Sequence, residues 1–211
     1  ETLTMSAAAG VTTTLSNALT SDADVSLVTL TATGAAADLS VDGLLDVDHV
    51  RTIDVTATGG ANIDIADVEL LGVDNDAATD IDVSLNLTSN GQDAADNSST
   101  ITVAALNTAT ATLDTVTIVS DADGVVSLTS GGANLTITTI DASGSAGTLT
   151  LDTSVTAAAI SANFGSGTNT ITTEVGLADT LTLLTSSGTD TVNVQSDNAG
   201  TSAADIVVNF E

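Results

Sequence analysis

Gly59-Gly60-Ala61-Asn62-Ile63-Asp64-Ile65 returns further along the chain as Gly131-Gly132-Ala133-Asn134-Leu135-Thr136-Ile137. A looser copy, Ala35-Ala36-Ala37-Asp38-Leu39-Ser40-Val41, precedes the first. Near the end, Gly167-Thr168-Asn169-Thr170-Ile171 is followed by Gly188-Thr189-Asp190-Thr191-Val192. The shared phrase is a small turn former, then Asn or Asp, then aliphatic–x–aliphatic. Gly and Asn accept the backbone angles of tight turns, and a period of two places alternate side chains on one face of a strand. The phrase therefore reads as a turn feeding a short strand.

The rest of the chain repeats this grammar. Leu27-Val28-Thr29-Leu30-Thr31, Ile53-Asp54-Val55-Thr56, Ile81-Asp82-Val83-Ser84-Leu85-Asn86-Leu87 and Val116-Thr117-Ile118 all alternate, with β-branched residues and Thr prominent. The expected class is all-β. A turn before each short strand, recurring at the spacing that separates Ala35 from Gly59 and Gly167 from Gly188, suits one coil of a β-solenoid with parallel strands, as in a β-helix or β-roll. That period predicts roughly nine or ten coils stacked at about 4.8 Å. The alternative is a β-sandwich of about ten strands with an exchanged terminal strand. No composition shift divides the 211 residues, so a single elongated domain over 1–211 is expected, with a possible junction in the polar stretch 89–99.

Composition narrows the function. The chain has 28 acidic residues against one Arg, no Lys and one His, a formal net charge of −27. Nucleic acids and anionic membrane surfaces need cations that this chain lacks, so neither is an expected partner. No apolar run approaches the length needed to span a bilayer as a helix. Glu1-Thr2-Leu3-Thr4 carries no basic stretch followed by an apolar one, so an N-terminal signal peptide is not expected. With 42% hydrophobic residues the chain nonetheless has apolar material for a core, and disorder is not expected.

The carboxylates are the candidate chemistry. Asp-x-Asp occurs at Asp22/Asp24, Asp46/Asp48, Asp74/Asp76, Asp80/Asp82 and Asp121/Asp123. Oxygen-only clusters without His or Cys suit a hard cation, and Ca²⁺ accepts many oxygens in flexible geometry. The densest cluster, Asp74-Asn75-Asp76-Ala77-Ala78-Thr79-Asp80-Ile81-Asp82, opens like a calcium loop but lacks the Gly and the closing Glu of an EF-hand. Each pair can equally be a solvated acidic surface. Across the chain, self-repulsion of so many like charges opposes compaction, and bound Ca²⁺ is the expected compensation.

Gly165-Ser166-Gly167-Thr168-Asn169-Thr170-Ile171-Thr172 and Ser187-Gly188-Thr189-Asp190-Thr191-Val192 resemble worn copies of the RTX nonapeptide, in which turn carbonyls and Asp hold Ca²⁺ between coils of a β-roll. Phe164 stands where the first Gly belongs, and Asn169 replaces the Asp. In composition the whole chain resembles calcium-dependent bacterial surface-layer proteins of the RTX-related kind. The resemblance implies Asn169 and Asp190 as metal-site residues, secretion without an N-terminal signal, calcium-driven assembly at the cell surface, and no enzymatic activity.

His49 and Arg51 form the one cationic spot, either a docking point for an acidic neighbour or a local salt bridge. Nothing arranges the lone His with a nucleophile, and a sugar cleft would want aromatic platforms that a chain without Trp or Tyr cannot supply. The expected role is therefore a structural subunit of an extracellular layer or filament, whose partner is another copy of itself. The alternating strand Asp205-Ile206-Val207-Val208-Asn209-Phe210-Glu211 is the candidate for strand addition. The alternative is a calcium-rigidified adhesin stalk. Thr-x-Thr pairs raise an ice-binding face as well, but their sequence spacing drifts, being much shorter from Thr136 to Thr148 than from Thr148 to Thr168.

Overall fold

Alternation with one apolar side makes a strand that must bury that side against a second sheet. The structure, a computed structural model, does this throughout. It describes residues 2–17, 19–21, 25–47, 50–70, 82–91, 98–108, 112–131, 137–154, 159–174, 179–183, 188–195 and 207–210. Every regular element among them is a strand. In chain order these are β1 (Thr2–Ala8), β2 (Thr12–Leu15), β3 (Leu19–Ser21), β4 (Leu27–Thr33), β5 (Asp38–Val47), β6 (Thr52–Thr58), β7 (Asn62–Leu70), β8 (Asp82–Asn90) and β9 (Ser99–Thr108). They continue as β10 (Thr112–Ser120), β11 (Gly124–Ser130), β12 (Ile137–Ala142), β13 (Thr148–Asp152), β14 (Ser161–Phe164), β15 (Thr168–Glu174), β16 (Thr180–Leu183), β17 (Thr191–Gln195) and β18 (Val207–Phe210).

Successive strands go to alternate sheets. Sheet A runs β1-β4-β6-β8-β10-β12-β14-β16-β18, and sheet B runs β17-β15-β13-β11-β9-β7-β5-β2, with β3 also pairing β5. The pairings between neighbouring strands are parallel. Each coil thus gives one strand to each sheet, eight coils followed by β18. This is the expected β-solenoid, not the sandwich. Strands are longer than the sequence suggested: β5 and β9 reach ten residues.

Columns of like side chains run through the stack. In sheet A, Leu3, Val28, Ile53, Leu85, Val116, Ile140, Ala162 and Leu181 occupy successive rungs. In sheet B, Leu15, Val41, Ile65, Val103, Leu128, Leu151, Ile171 and Val192 do the same. From Val28 to Leu181 and from Val41 to Ile171 these side chains are buried. Volume is balanced between rungs: Phe164 is the register partner of Ala142, and Ala162 beside it is that of Ile140.

Coil length varies while register holds. The step along the chain from Leu149 to its partner Asn169 is little more than half that from Ile63 to its partner Ile101. Loops absorb the difference. The drifting Thr-x-Thr spacing is therefore no obstacle to alignment: Thr148 and Thr150 stand directly opposite Thr168 and Thr170.

The turn leading from sheet A to sheet B changes character along the stack. In the first coils it turns through left-handed glycines, Gly10 (φ 69°), Gly34 (φ 93°) and Gly59 (φ 72°). In the later coils it holds a glycine column, Gly124, Gly147, Gly167 and Gly188. A Cβ on Gly167 would lie 1.9 Å from the Gly147 carbonyl oxygen, and one on Gly188 would lie 1.8 Å from that of Gly167. Only glycine lets these turns stack at strand spacing.

Candidate functional site

The acidic candidates divide by position. Asp22, Asp24, Asp48, Asp74, Asp76 and Asp80, together with His49, lie outside the described residues. Asp46 lies on β5 and Asp82 on β8, where Asp82 is the register partner of Thr112. Asp121, Asp123, Asn169 and Asp190 are described with their side chains.

Asp121 and Asp123 shape a turn. The Asp121 carboxylate accepts from the Asp123 amide at 3.1 Å and, across the coil boundary, from the Gly91 amide at 2.9 Å. The Gly124 amide in turn donates to the Asp121 carbonyl at 3.0 Å. Asp beside Gly in a tight turn is the local reason the chain reverses here. Asp141 and Asp152 repeat the device at the ends of β12 and β13. Each accepts from the amide and hydroxyl of the Ser two positions on, Ser143 and Ser154.

Asn169 and Asp190 do come together. Asn169 is buried on an inward rung, as the register partner of Leu149. Its amide nitrogen donates to Asp190 Oδ1 at 2.8 Å and to the carbonyls of Gly165 and Gly167, both at 3.3 Å. Its own Oδ1 is buried without a hydrogen-bond partner. Three oxygens thus converge on one point, as they would around a cation, but an N–H donor fills that point. In this arrangement the Asn169 amide nitrogen links the three oxygens. Asn169 ties turn to turn in the manner that the RTX resemblance assigns to an ion.

The strand carboxylates have their own arrangement. Asp38 lies between Thr12 and Asn62, Asp54 between Thr29 and Asn86, and Asp64 between Ser40 and Thr102. Asp141 lies between Thr117 and Asn163, and Asp152 between Thr129 and Thr172. Each acid is flanked on its ladder by neutral groups that can donate. Asn86 donates to Asp54 at 2.8 Å, and Asn107 donates to Asp67 at 2.9 Å. Asp54 and Asp141 share a column but stand three coils apart, about 14 Å, beyond a Debye length of about 10 Å at 0.1 M salt. The ladder neighbours of these carboxylates are neutral groups, not second acids. Two described rungs depart from the rule: Asp46 is the register partner of Glu69, and Asp67 that of Leu44.

Sequence reasoning passed over Asp179. Its carboxylate is buried, accepting from the Ile160 amide at 3.0 Å and from the Thr173 hydroxyl, so it ties coil 7 to coil 8. The signal is present in Asp179-Thr180-Leu181-Thr182-Leu183, an Asp immediately before an alternating strand. Among the described residues no three acidic or histidine side chains gather as a metal-binding group. Comparison with known protein families, with characterised proteins and with solved structures finds no match.

Proposed function

We propose that the chain is a structural, non-enzymatic subunit of a self-assembling bacterial layer or filament outside the cell, stabilised by calcium. The observation that carries this reading is the aliphatic column running from Leu3 to Leu181 through every coil of sheet A. It commits the interior to stacking and leaves sheet faces and strand edges as what the molecule offers a partner. β18 pairs with β16 and is the last strand of sheet A among the described residues, so strand addition through 205–211 would extend that sheet. In this reading Ca²⁺ acts at the Asp-x-Asp clusters, Asp22/Asp24, Asp46/Asp48, Asp121/Asp123 and above all Asp74, Asp76, Asp80 and Asp82, and at Asn169 with Asp190.

Negative-stain microscopy with and without millimolar Ca²⁺ tests the assembly. Sheets or filaments that form with calcium and disperse in EGTA are the expected result. A protein that stays monomeric at high concentration with calcium overturns it and leaves the adhesin-stalk reading. Thermal melting tests the ion separately, because a ligand bound only by the native state raises the midpoint. Replacing Asp74, Asp76 and Asp80 together by Asn should remove most of that rise.

A further inference from the structure

Sheet B is divided in charge along its length. β5 and β7 carry Asp38, Asp42, Asp46, Asp64, Asp67 and Glu69. The five strands that follow, β9, β11, β13, β15 and β17, carry between them only Asp152 and Glu174, each the last residue of its strand. Asp152 is moreover turned into its own loop by the bonds from Ser154. Along the middle of this field Thr102, Ser127, Thr150, Thr170 and Thr191 form one unbroken hydroxyl column. Thr150 and Thr191 are exposed, and the others are partly so. A chain of net charge −27 thus keeps its longest nearly acid-free run of adjacent strands here, sheet A having shorter ones at β1–β4 and β14–β18.

We infer that this field is a lateral contact surface for a second copy of the chain, related to the first by a two-fold axis. The inference rests on the assembly reading above and names the face that assembly uses. Two copies of a −27 chain approach most cheaply where neither presents carboxylates, since like charges set against each other across an interface cost several kcal/mol. Setting field against field keeps the β5–β7 acids of both copies outside the contact. A two-fold pairing makes one patch self-complementary. Thr supplies both a methyl group to bury and a hydroxyl that donates or accepts, so facing columns can satisfy each other without charge.

Five strands at about 4.8 Å, with five to seven residues each at about 3.3 Å, give on the order of 400 Å² per copy, below the standard interface size. The contact is therefore weak for a pair and effective in an array, where many such contacts act together. That size predicts a sharp concentration threshold for assembly and no stable dimer well below it.

The test compares three full-length proteins by light scattering against concentration, with negative-stain images of the product. These are the native chain, Thr150→Asp with Thr170→Asp in the field, and Thr31→Asp with Thr56→Asp on sheet A. Both variants add two charges on directly opposed rungs, so their internal repulsion and total charge match. Circular dichroism melts establish that each remains folded. The expected result is an assembly threshold raised at least tenfold for the field variant and little changed for the sheet A variant. Equal shifts in the two variants, or no shift in either, overturn the lateral-contact inference while leaving the assembly intact. A native chain that never associates removes the assembly reading itself, and this inference with it.

Discussion

Coils 3 and 7 stack on the same two sheets at the same spacing, yet they fill their interiors with different chemistry. Coil 3 turns Ile53, Val55 and Ala57 inward from sheet A, and Ile63, Ile65 and Val68 from sheet B. Coil 7 turns in Ala162 and Phe164 from the one, and Asn169, Ile171 and Thr173 from the other. The difference lies in where the inward positions fall. Where strands shorten, a larger share of inward positions lies beside turn backbone, whose amides and carbonyls need partners once water is excluded. Buried Ser145, which donates to the Ile118 carbonyl at 2.9 Å, and Asn169, Thr173 and Asp179 meet that need in the narrow half. The first three coils turn through left-handed glycines, and in coil 4 buried Ser89 and Ser99 donate to the Ser99 and Asn90 carbonyls, both at 2.7 Å.

The largest expected break in this contrast is at the glycine column. Gly167→Ala sets a Cβ 1.9 Å from the Gly147 carbonyl oxygen, a backbone atom that cannot swing aside. Overpacking of this kind costs about 3 kcal/mol or more, which for a chain of this length lowers the melting midpoint by roughly 10 °C. Gly10→Ala in the wide half meets nothing within 4 Å and bears only the strain of φ 69°. That strain is about 1 kcal/mol. Thermal melts of the two variants side by side measure the ratio. Equal losses would mean that the later turns relax freely and that the glycine column is not what lets them stack.

Next in size is the buried carboxylate. Asp179→Ala leaves the Ile160 amide and the Thr173 hydroxyl without their shared acceptor, at about 1–3 kcal/mol per buried group. Asp179→Asn keeps one acceptor oxygen and loses less. Amide exchange at Ile160 should speed up in both variants, and more in the Ala one. Unchanged exchange at Ile160 would show that Asp179 does not bind the two coils.

What the sequence makes legible is local. The two shorter echoes are true rungs: Asp38 pairs with Asn62, and Ile171 with Val192. The longest echo misleads. Ile65 lies on β7 in sheet B, whereas Ile137, its counterpart in the second Gly-Gly-Ala-Asn phrase, begins β12 in sheet A. The phrase marks entry from a turn into a strand, and period two says nothing of which sheet receives it. Ser120-Asp121-Ala122-Asp123 reads as metal chemistry, but Asp121 serves the turn backbone. The Asn169 hub is found by motif, though its wiring is not legible, because donor and acceptor amides are spelled alike. Interleaving of the strand acids is also invisible, since partners such as Asp54 and Asn86 are far apart along the chain and known only through register.

The smallest expected effect is the most direct test of that interleaving. Asn86→Asp would place a carboxylate opposite Asp54 on neighbouring strands about 4.8 Å apart, and remove the 2.8 Å amide donor between them. Both positions are partly exposed, so screening keeps the loss to about 1 kcal/mol, or roughly 3 °C in a melt under EGTA. Added Ca²⁺ should recover part of this loss in the variant by bridging the new carboxylate pair. Asp54→Asn alone replaces an acid by a neutral group and should change stability by no more than about 0.5 kcal/mol. The informative case is the exchange, Asp54→Asn with Asn86→Asp, which restores one acid and one amide with their positions reversed. If alternation of charge with donors is what spares the strands an ion, the exchange recovers most of the loss in EGTA. In a double-mutant cycle the two changes are then strongly non-additive. An exchange no more stable than Asn86→Asp would mean that the cost lies in the place of the carboxylate and not in its partner, and ladder interleaving would cease to explain how the strands carry their acids.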